Sequence, residues 1–227
     1  MTEVNELGLK LYGCWRSSCS HRVVLALRYY GLDFDYIPID LGAREQETET
    51  YLEVSPAAQV PALVYQGEVI TQSMAIISLI DSLGNRASSS LFPEDPVKRA
   101  LAISVAERVS TFIQPFMLPG GIRRGMKSSM APDDSDFDAK LTRFAMTTLD
   151  SNLSLLNDQI ASSNGPLAMG DAPSLADVFV FPQLVGAARL NVDLSSYPSL
   201  QTLFDAMSRL DWVEAANPMT MIDAPKG

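Results

Sequence analysis

The chain has 227 residues, of which 47% are hydrophobic, enough to form the core of one large or two small domains. Its formal net charge of −10 disfavours nucleic acid as a partner, because a phosphate backbone is bound by basic surfaces. Residues 1–10 lack the pattern of a secretory signal or a transit peptide, and no stretch reaches the ~20 apolar residues that span a membrane. We therefore expect a cytoplasmic protein that acts without a membrane.

The start of the chain predicts a strand that leads through a turn into a helix. Leu7, Leu9 and Leu11 alternate with other residues, as in a strand, and apolar residues then follow at helical spacing until Gly31. The turn between them, at residues 17–20, contains three serines and a thiol. A helix start has unpaired N–H groups and partial positive charge, which stabilise a bound anion or a thiolate. Serine is also a favoured N-cap residue, so capping alone explains the same pattern.

Few side chains in this sequence are suited to redox or metal chemistry. Cys14 and Cys19 are the two cysteines, and without any mark of secretion we expect both to be free thiols. His21 is the single histidine, so the sequence offers no cluster of metal ligands and we predict no metal site.

Residues 7–84 predict an α/β domain of the thioredoxin-like type. The elements read as strand, helix, strand, helix, strand, strand and helix, and the last two strands form a hairpin in which residues 62–65 and 69–70 flank a turn at 66–68. The first two strands are joined by a helix long enough for a right-handed crossover, so they are expected to be parallel. We assign residues 1–84 to this N-terminal domain.

The rest of the chain predicts an all-helical domain after a linker. Residues 85–96 are small, polar or proline and have no periodicity, which is typical of a linker. Residues 97–227 form the second domain, and helical periodicity covers four stretches: 97–117, 137–160, 175–190 and 200–207. Ser174 and Asp177 have the spacing of a capping box, and we interpret them as a folding element.

Taken together, these motifs resemble those of the zeta-class glutathione transferases, the class that includes maleylacetoacetate isomerase. The family signature, an Arg-Ser-Ser-Cys-Ser run followed by an Arg-Val pair, corresponds to residues 16–20 and 22–23. Other landmarks of the family extend the resemblance over nearly the whole chain: Gln59-Val60-Pro61, Gln72-Ser73, Ile113-Gln114-Pro115 and Ser174-Leu175-Ala176-Asp177.

The resemblance implies that glutathione is the cofactor and assigns residues to it. A cis bond between Val60 and Pro61 would turn the Val60 backbone toward the cysteinyl part of the tripeptide. Gln72 and Ser73, with the amides of the helix that they begin, would hold its γ-glutamyl end. Two further contacts are implied, from Gln114 and, more weakly, from Gln46. The acidic neighbours of Gln46 fit a solvated face equally well.

The resemblance also implies how the thiol is activated and how a second substrate is held. Ser17 would donate a hydrogen bond to the glutathione thiolate and lower a thiol pKa that is ordinarily about 8.5. Ser18 and Cys19 would shape the sulfur site. Arg189 matches a family arginine that binds a substrate carboxylate, and Arg16 is assigned to the same substrate. Without the family match, a helix-end arginine that interacts with the helix dipole explains Arg189 as well.

One segment departs from the family, and it bears on the substrate. The family has a polar Gln-Asn pair soon after Gln114-Pro115, whereas this chain has apolar residues followed by Pro119 and two glycines, which predict a helix break. Three functions remain open: cis–trans isomerisation of maleylacetoacetate or a similar keto acid in tyrosine or aromatic breakdown, glutathione transfer or dehalogenation on small α-haloacids, and non-catalytic binding. The intact serine–cysteine motif favours catalysis, and the resemblance implies a homodimer.

Overall fold

The computed structural model of the chain describes residues 5–84, 89–117, 120–130, 133 and 135–226. It divides into two compact units, one formed by Met1–Leu91 with Ser208–Gly227 and the other by Phe92–Met207. The sequence pattern predicts a helical domain over all of residues 97–227, whereas in the structure Ser208–Gly227 belongs to the first unit. Of the expected linker, residues 85–88 lie outside the described residues. Within the linker, Leu91 is held by the first unit, because its N–H donates to Tyr30 Oη and Asp81 Oδ1 at 2.8 and 3.0 Å.

A four-stranded sheet with the order β2-β1-β3-β4 forms the centre of the first unit. The first pair is parallel and the other two pairs are antiparallel, as a thioredoxin-like fold requires. The strands are β1 Lys10–Gly13, β2 Asp35–Pro38, β3 Ala62–Tyr65 and β4 Glu68–Thr71. The helices between and after them are α1 Ser18–Tyr29, α2 Glu49–Leu52 and α3 Ser73–Leu83. The predicted order of elements is confirmed.

Two local details of the sheet differ from the sequence prediction. Leu7 lies in a turn and is 38% exposed, because the Asn5 side chain bonds to both the N–H and the C=O of Leu9 and delays the strand to Lys10. The hairpin turn is one residue shorter than expected. Gln66 and Gly67 both have positive φ, as a two-residue type I′ turn needs, so Glu68 already begins β4.

Helices α1 and α3 pack against each other beside the sheet and bury most of the apolar core of the first unit. The core also contains a charge, because Arg22 on α1 is only 1% exposed. Its Nη1 donates to the Ser73 hydroxyl at 3.3 Å, which links α1 to the first residue of α3. A short helix from the C-terminal segment, α9 Asp211–Glu214, packs on α1.

The second unit is helical in all of its described elements, as predicted. Its α-helices are α4 Pro96–Arg108, α5 Gly120–Met130, α6 Phe137–Ala161, α7 Leu175–Arg189 and α8 Pro198–Met207. The buried carboxylate of Asp177 accepts hydrogen bonds from the N–H of Ser174 at 2.9 Å and the N–H of Ala168 at 2.8 Å. This network confirms the capping box as a folding element. Among the described helices, none combines the length and apolarity needed to cross a bilayer.

The segment predicted as one helix over residues 97–117 changes from an α-helix to other helix types within its length. The α-helical turns end at Arg108, a π-helix covers Val109–Ile113, and a 3-10 helix covers Gln114–Met117. Side-chain hydroxyls compete with the helix bonds here: Ser110 Oγ donates to Ala106 O, and Thr111 Oγ1 donates to Glu107 O. Pro115 lacks the N–H that would continue the α-helical pattern. A new helix, α5, begins at Gly120, while residues 118–119, part of the segment that departs from the family, lie outside the described residues.

Candidate active site

Three segments of the first unit meet at one end of the strands of the sheet. The register places Ala62, the first residue of β3, opposite Tyr12 near the end of β1 and opposite Thr71 at the end of β4. The turn after β1, the residues just before β3 and the start of α3 therefore lie side by side. The family resemblance implies glutathione-site residues in all three segments, and the sheet brings those segments together.

Ser17 is the N-cap of α1, and its side chain has capacity for a second role. Its Oγ accepts the Ser20 N–H at 3.2 Å, which is a capping bond. Capping uses only an acceptor lone pair, and a hydroxyl also has a proton to donate. In the part of the chain that the structure describes, the Ser17 hydroxyl has no acceptor for that proton. Both interpretations of this serine are therefore compatible, because a cap can also donate to a ligand sulfur.

The first turn of α1 adds donors and positive charge around Ser17. Ser18 and Cys19 are its first two residues, so their amides have no partner four residues earlier in the helix. Cys19 is half-buried and is a free thiol, as is the buried Cys14. The guanidinium of Arg22 lies beneath this turn, close enough to Cys19 to interact with it electrostatically. Burial lowers the pKa of Arg22, and interaction with Cys19 partly offsets that effect.

Sequence reasoning treated Arg22 only as part of the signature and gave it no role. The structure places this cation where it stabilises negative charge at the starts of both helices. A signal was available in the sequence, because Arg22 lies among apolar residues on the helix face that the periodicity assigns to the core.

The start of α3 has a strained backbone and no side-chain cap. Gln72, its N-cap residue, has φ +69°, a region that non-glycine residues occupy at a cost of about 1–3 kcal/mol. Its side chain makes no capping hydrogen bond. The N–H groups in the first turn of α3 therefore receive no capping bond from the Gln72 side chain, and they can bind an anion such as a carboxylate.

The Val60–Pro61 peptide bond is cis, as the resemblance implied. Val60 is half-buried and Pro61 is buried at the start of β3. Two buried hydroxyl groups fix the preceding loop, because Tyr51 Oη and Ser55 Oγ donate to the Gln59 carbonyl at 2.7 and 3.0 Å. Burial raises the pKa of Tyr51 to about 12, so this donor keeps its proton at neutral pH.

Gln46 differs from its acidic neighbours in burial. This difference bears on the two interpretations of its sequence pattern, a glutathione contact and a solvated face. Glu45, Glu47 and Glu49 are exposed, whereas Gln46 is 8% exposed. Its Nε2 donates to Glu47 Oε1 at 3.3 Å, while its buried Oε1 accepts no hydrogen bond from any described residue. An unsatisfied buried amide oxygen is costly, and a ligand N–H would satisfy it. The residue therefore does not belong to a solvated face.

Arg16 lies on the surface beside the Ser17 turn. Its guanidinium is 6.0 Å from the centroid of the Trp15 ring, at the outer limit of a cation–π contact. It also lies close to the loop after β2, since a Cβ built at Gly42 would be 3.5 Å from Arg16 Nη2. The exposed side chain is available to an anionic group near the turn.

The candidate residues of the second unit occur where helices change or end. Gln114 begins the 3-10 helix and is half-buried, and Arg189 is the exposed last residue of α7. Met117 lies against the same helix, because a Cβ built at Gly186 would be 2.9 Å from Met117 Cε. Gly186 is one helical turn before Arg189, so Met117, which belongs to the segment that departs from the family, lies on the face of α7 that leads to this arginine.

The comparison with family models agrees with this architecture. Residues 7–82 match the glutathione S-transferase N-terminal domain, and residues 122–215 match the glutathione S-transferase C-terminal domain.

Known proteins that are similar to this chain over nearly its whole length indicate which class of glutathione S-transferase it belongs to. Maleylacetoacetate isomerase from Mus musculus is 32% identical over 95% of this chain and 94% of its own length. The holo structure of a maleylpyruvate isomerase, a bacterial zeta-class glutathione S-transferase, has a TM-score of 0.86 at 28% identity and covers 95% of this chain and 100% of its own. A maleylacetoacetate isomerase from Methylobacterium extorquens AM1, with bound malonate and GSH, has a TM-score of 0.85 at 28% identity, with coverage of 96% and 100%. The chain belongs to the glutathione S-transferase family, within its zeta class.

Proposed function

We propose that this chain catalyses the glutathione-dependent cis–trans isomerisation of maleylacetoacetate or a similar maleyl keto acid. The observation that carries the proposal is the Ser17 hydroxyl, which caps α1 through its oxygen and keeps its proton for a thiolate. The similar proteins are named as isomerases of two maleyl keto acids, which supports this substrate class.

The residues of the first unit fit glutathione. Gln72, Ser73 and the first-turn amides of α3 would bind the γ-glutamyl carboxylate and amine, at a helix end that has no side-chain cap. The Val60 backbone would pair with the cysteinyl part beside the cis bond to Pro61. The buried Oε1 of Gln46 needs an N–H donor, which a tripeptide offers. Gln114 is assigned to glutathione by its family match.

The chain supplies the groups that keep the bound thiol ionised. Ser17 donates to the sulfur, the amides of Ser18 and Cys19 face the same helix end, and the buried Arg22 adds positive potential. All of these stabilise the anion more than the thiol and so lower the thiol pKa. When bound, glutathione supplies a thiolate that adds to the cis double bond, permits rotation about the resulting single bond, and leaves as the trans double bond re-forms.

The substrate carboxylates are assigned to Arg189 and Arg16. Both side chains are exposed, and arginine matches a carboxylate with two parallel N–H donors. In a protein with a net charge of −10, arginines beside a site matter for attracting an anionic substrate. The relative with bound malonate provides a precedent for a dicarboxylate in such a protein.

An assay at two glutathione concentrations tests the proposal. Maleylacetoacetate and maleylpyruvate should be turned over completely with glutathione far below the substrate concentration, because each catalytic cycle regenerates it. Stoichiometric loss of glutathione, or the absence of turnover with both keto acids, would refute the isomerase proposal.

A second candidate, transfer or dehalogenation on small α-haloacids, is favoured by one observation. Met117 is an apolar side chain, packed on Gly186, at a place where the family has a polar pair. An apolar wall suits a compact haloacid as well as a keto acid. Chloroacetic acid in the same assay distinguishes the two, since dehalogenation consumes one glutathione for each chloride released.

We also propose a cytoplasmic homodimer that acts in tyrosine or other aromatic breakdown. Each unit leaves apolar side chains exposed: Val69 on β4 in the first, and Val97 and Leu101, one turn apart on α4, in the second. A contact between subunits would cover these apolar side chains. Light scattering at micromolar concentration should give twice the 24.7 kDa chain mass, and a monomer would contradict the proposal.

A further inference from the structure

The C-terminal segment of the chain returns to the turn that carries Ser17. After α9 packs on α1, with the Trp212 ring edge-on to Tyr29 at 5.2 Å, the chain continues through the buried residues Ala216 and Pro218. Pro218 and Met221 line a small cavity together with Cys14, Trp15 and His21. The segment therefore packs against the back of the turn, within one compact unit.

Asp223 makes the polar contact between this segment and the turn. Its Oδ2 accepts the backbone N–H of Trp15 at 2.9 Å, across 208 positions of sequence. The Tyr36 hydroxyl donates to the same oxygen at 3.4 Å. Within the turn, the Ser17 N–H donates to the Cys14 carbonyl at 3.0 Å, so Trp15 lies inside the loop that this bond closes.

We propose that Asp223 is a positioning residue, which holds the backbone of Trp15 and thereby sets the place of the Ser17 hydroxyl. The inference rests on the proposed function of Ser17. A carboxylate is a strong acceptor for a backbone N–H, and here it fixes the one loop amide that lies midway between the end of β1 and the helix cap. Misplacement of a catalytic group by about 1 Å is enough to lower turnover up to about 100-fold.

The two oxygens of Asp223 have different contacts, so one variant can keep the hydrogen-bond acceptor and another can remove it. Oδ2 accepts both hydrogen bonds, whereas the buried Oδ1 accepts none from any described residue. In Asp223→Asn the amide oxygen can take the place of Oδ2 and still accept from Trp15. The NH₂ group then takes the place of Oδ1, which accepts no hydrogen bond from any described residue. Asp223→Ala removes the acceptor. Ile222→Ala is a matched control, because Ile222 is the adjacent residue and is 76% exposed.

The first measurement is hydrogen exchange of the Trp15 amide in the ligand-free protein. In Asp223→Ala its protection should fall by about tenfold or more, as loss of a hydrogen bond to a charged acceptor predicts, while Asp223→Asn and Ile222→Ala keep most of it. Unchanged protection in Asp223→Ala would overturn the inference, because the bond would then not hold the turn.

The second measurement separates positioning from general stability. In Asp223→Ala, kcat should fall by about tenfold, KM for the keto acid should stay nearly constant, and the acid limb of the kcat/KM profile should move to higher pH as the bound thiol loses its donor. Asp223→Asn should restore these values to within about threefold. A uniform loss of active protein with unchanged kinetics per active site would overturn the inference.

If the wild-type chain turns over no keto acid, the proposed function fails. The Trp15 exchange and the pH at which bound glutathione ionises, read from thiolate absorbance, still decide the role of Asp223.

Discussion

The turn that carries Ser17 and the helix end that carries Arg189 differ in how firmly the protein holds them. Trp15 is bonded to Asp223, Ser17 is bonded to both Cys14 and Ser20, and the turn lies on a buried core. Arg189 is an exposed side chain at the last position of α7, near a segment in which the helix winding changes. Under the proposed function this difference is a division of work: the geometry is fixed where Ser17 would stabilise charge, and the surface is adaptable where Arg189 would select the substrate.

The largest effect is expected at the firmly held end. Ser17→Gly removes the hydroxyl but, because glycine is tolerated at an N-cap, should preserve the fold. Turnover should fall about 100- to 1,000-fold, the usual cost of losing one donor to a developing anion. Steady-state kinetics with a maleyl keto acid measure it, and Ser17→Thr should recover part of the activity.

Cys19→Ala is the control for that experiment, because Cys19 shapes the sulfur site without donating its own proton in this scheme. It should lower kcat far less than Ser17→Gly. If both variants are equally inactive, Cys19 itself carries the chemistry and the assignment to Ser17 is wrong.

The second effect is expected at the exposed end and in a different kinetic constant. Arg189→Ala should raise KM for a carboxylate substrate by about tenfold or more, as loss of a charged hydrogen bond of about 1.5–3 kcal/mol predicts. Glutathione affinity, measured by calorimetry, should be nearly unchanged, and a neutral electrophile should be turned over normally.

Arg143→Ala provides a matched surface control, because Arg143 is an exposed arginine on α6 of the same unit. It should behave like the wild type. Equal damage to charged and neutral substrates in Arg189→Ala, with a lower Tm, would make Arg189 a structural residue that stabilises the end of its helix.

A smaller effect tests the buried amide of Gln46. Gln46→Leu removes Oε1, and the Kd for glutathione should rise about two- to tenfold if a ligand N–H donates to that oxygen. The Tm of the ligand-free protein should change little, because the lost oxygen has no partner among the described residues and the lost Nε2 donates only to the exposed Glu47 at 3.3 Å. Glu49→Gln, at an exposed neighbouring position, is the control. Unchanged glutathione affinity would remove Gln46 from the site.

The smallest effect is expected from Gly186→Ala, which moves the Met117 side chain. The added Cβ would be 2.9 Å from Met117 Cε, the mobile end of a flexible side chain, so the helix should accept the change. We expect KM for the keto acid to change by up to about threefold, while alanine in a helix adds roughly 0.5–1 kcal/mol of stability. A change in glutathione affinity instead would show that Met117 does not belong to the substrate side.

Local sequence determined much of this protein. Alternation and helical spacing predicted the order of strands and helices, and the serine-rich run at residues 17–20 marked the start of α1, where the active site is proposed. These features are encoded by neighbouring residues, since side-chain period and capping depend on positions only a few residues apart. The family resemblance then supplied roles for Gln72 and Arg189, and for Arg189 the local pattern alone fits a helix-end charge equally well.

Only the tertiary structure decided the features that depend on distant parts of the chain. The segment Ser208–Gly227 lies in the range predicted as the helical domain, yet it joins the first unit, where Trp212 and Asp223 find partners on α1 and in the Ser17 turn. Gln46 has acidic neighbours on both sides and is nevertheless buried. Burial and long-range hydrogen bonds depend on which surfaces the folded chain brings together, and periodicity within one segment carries no information about a partner 208 positions away.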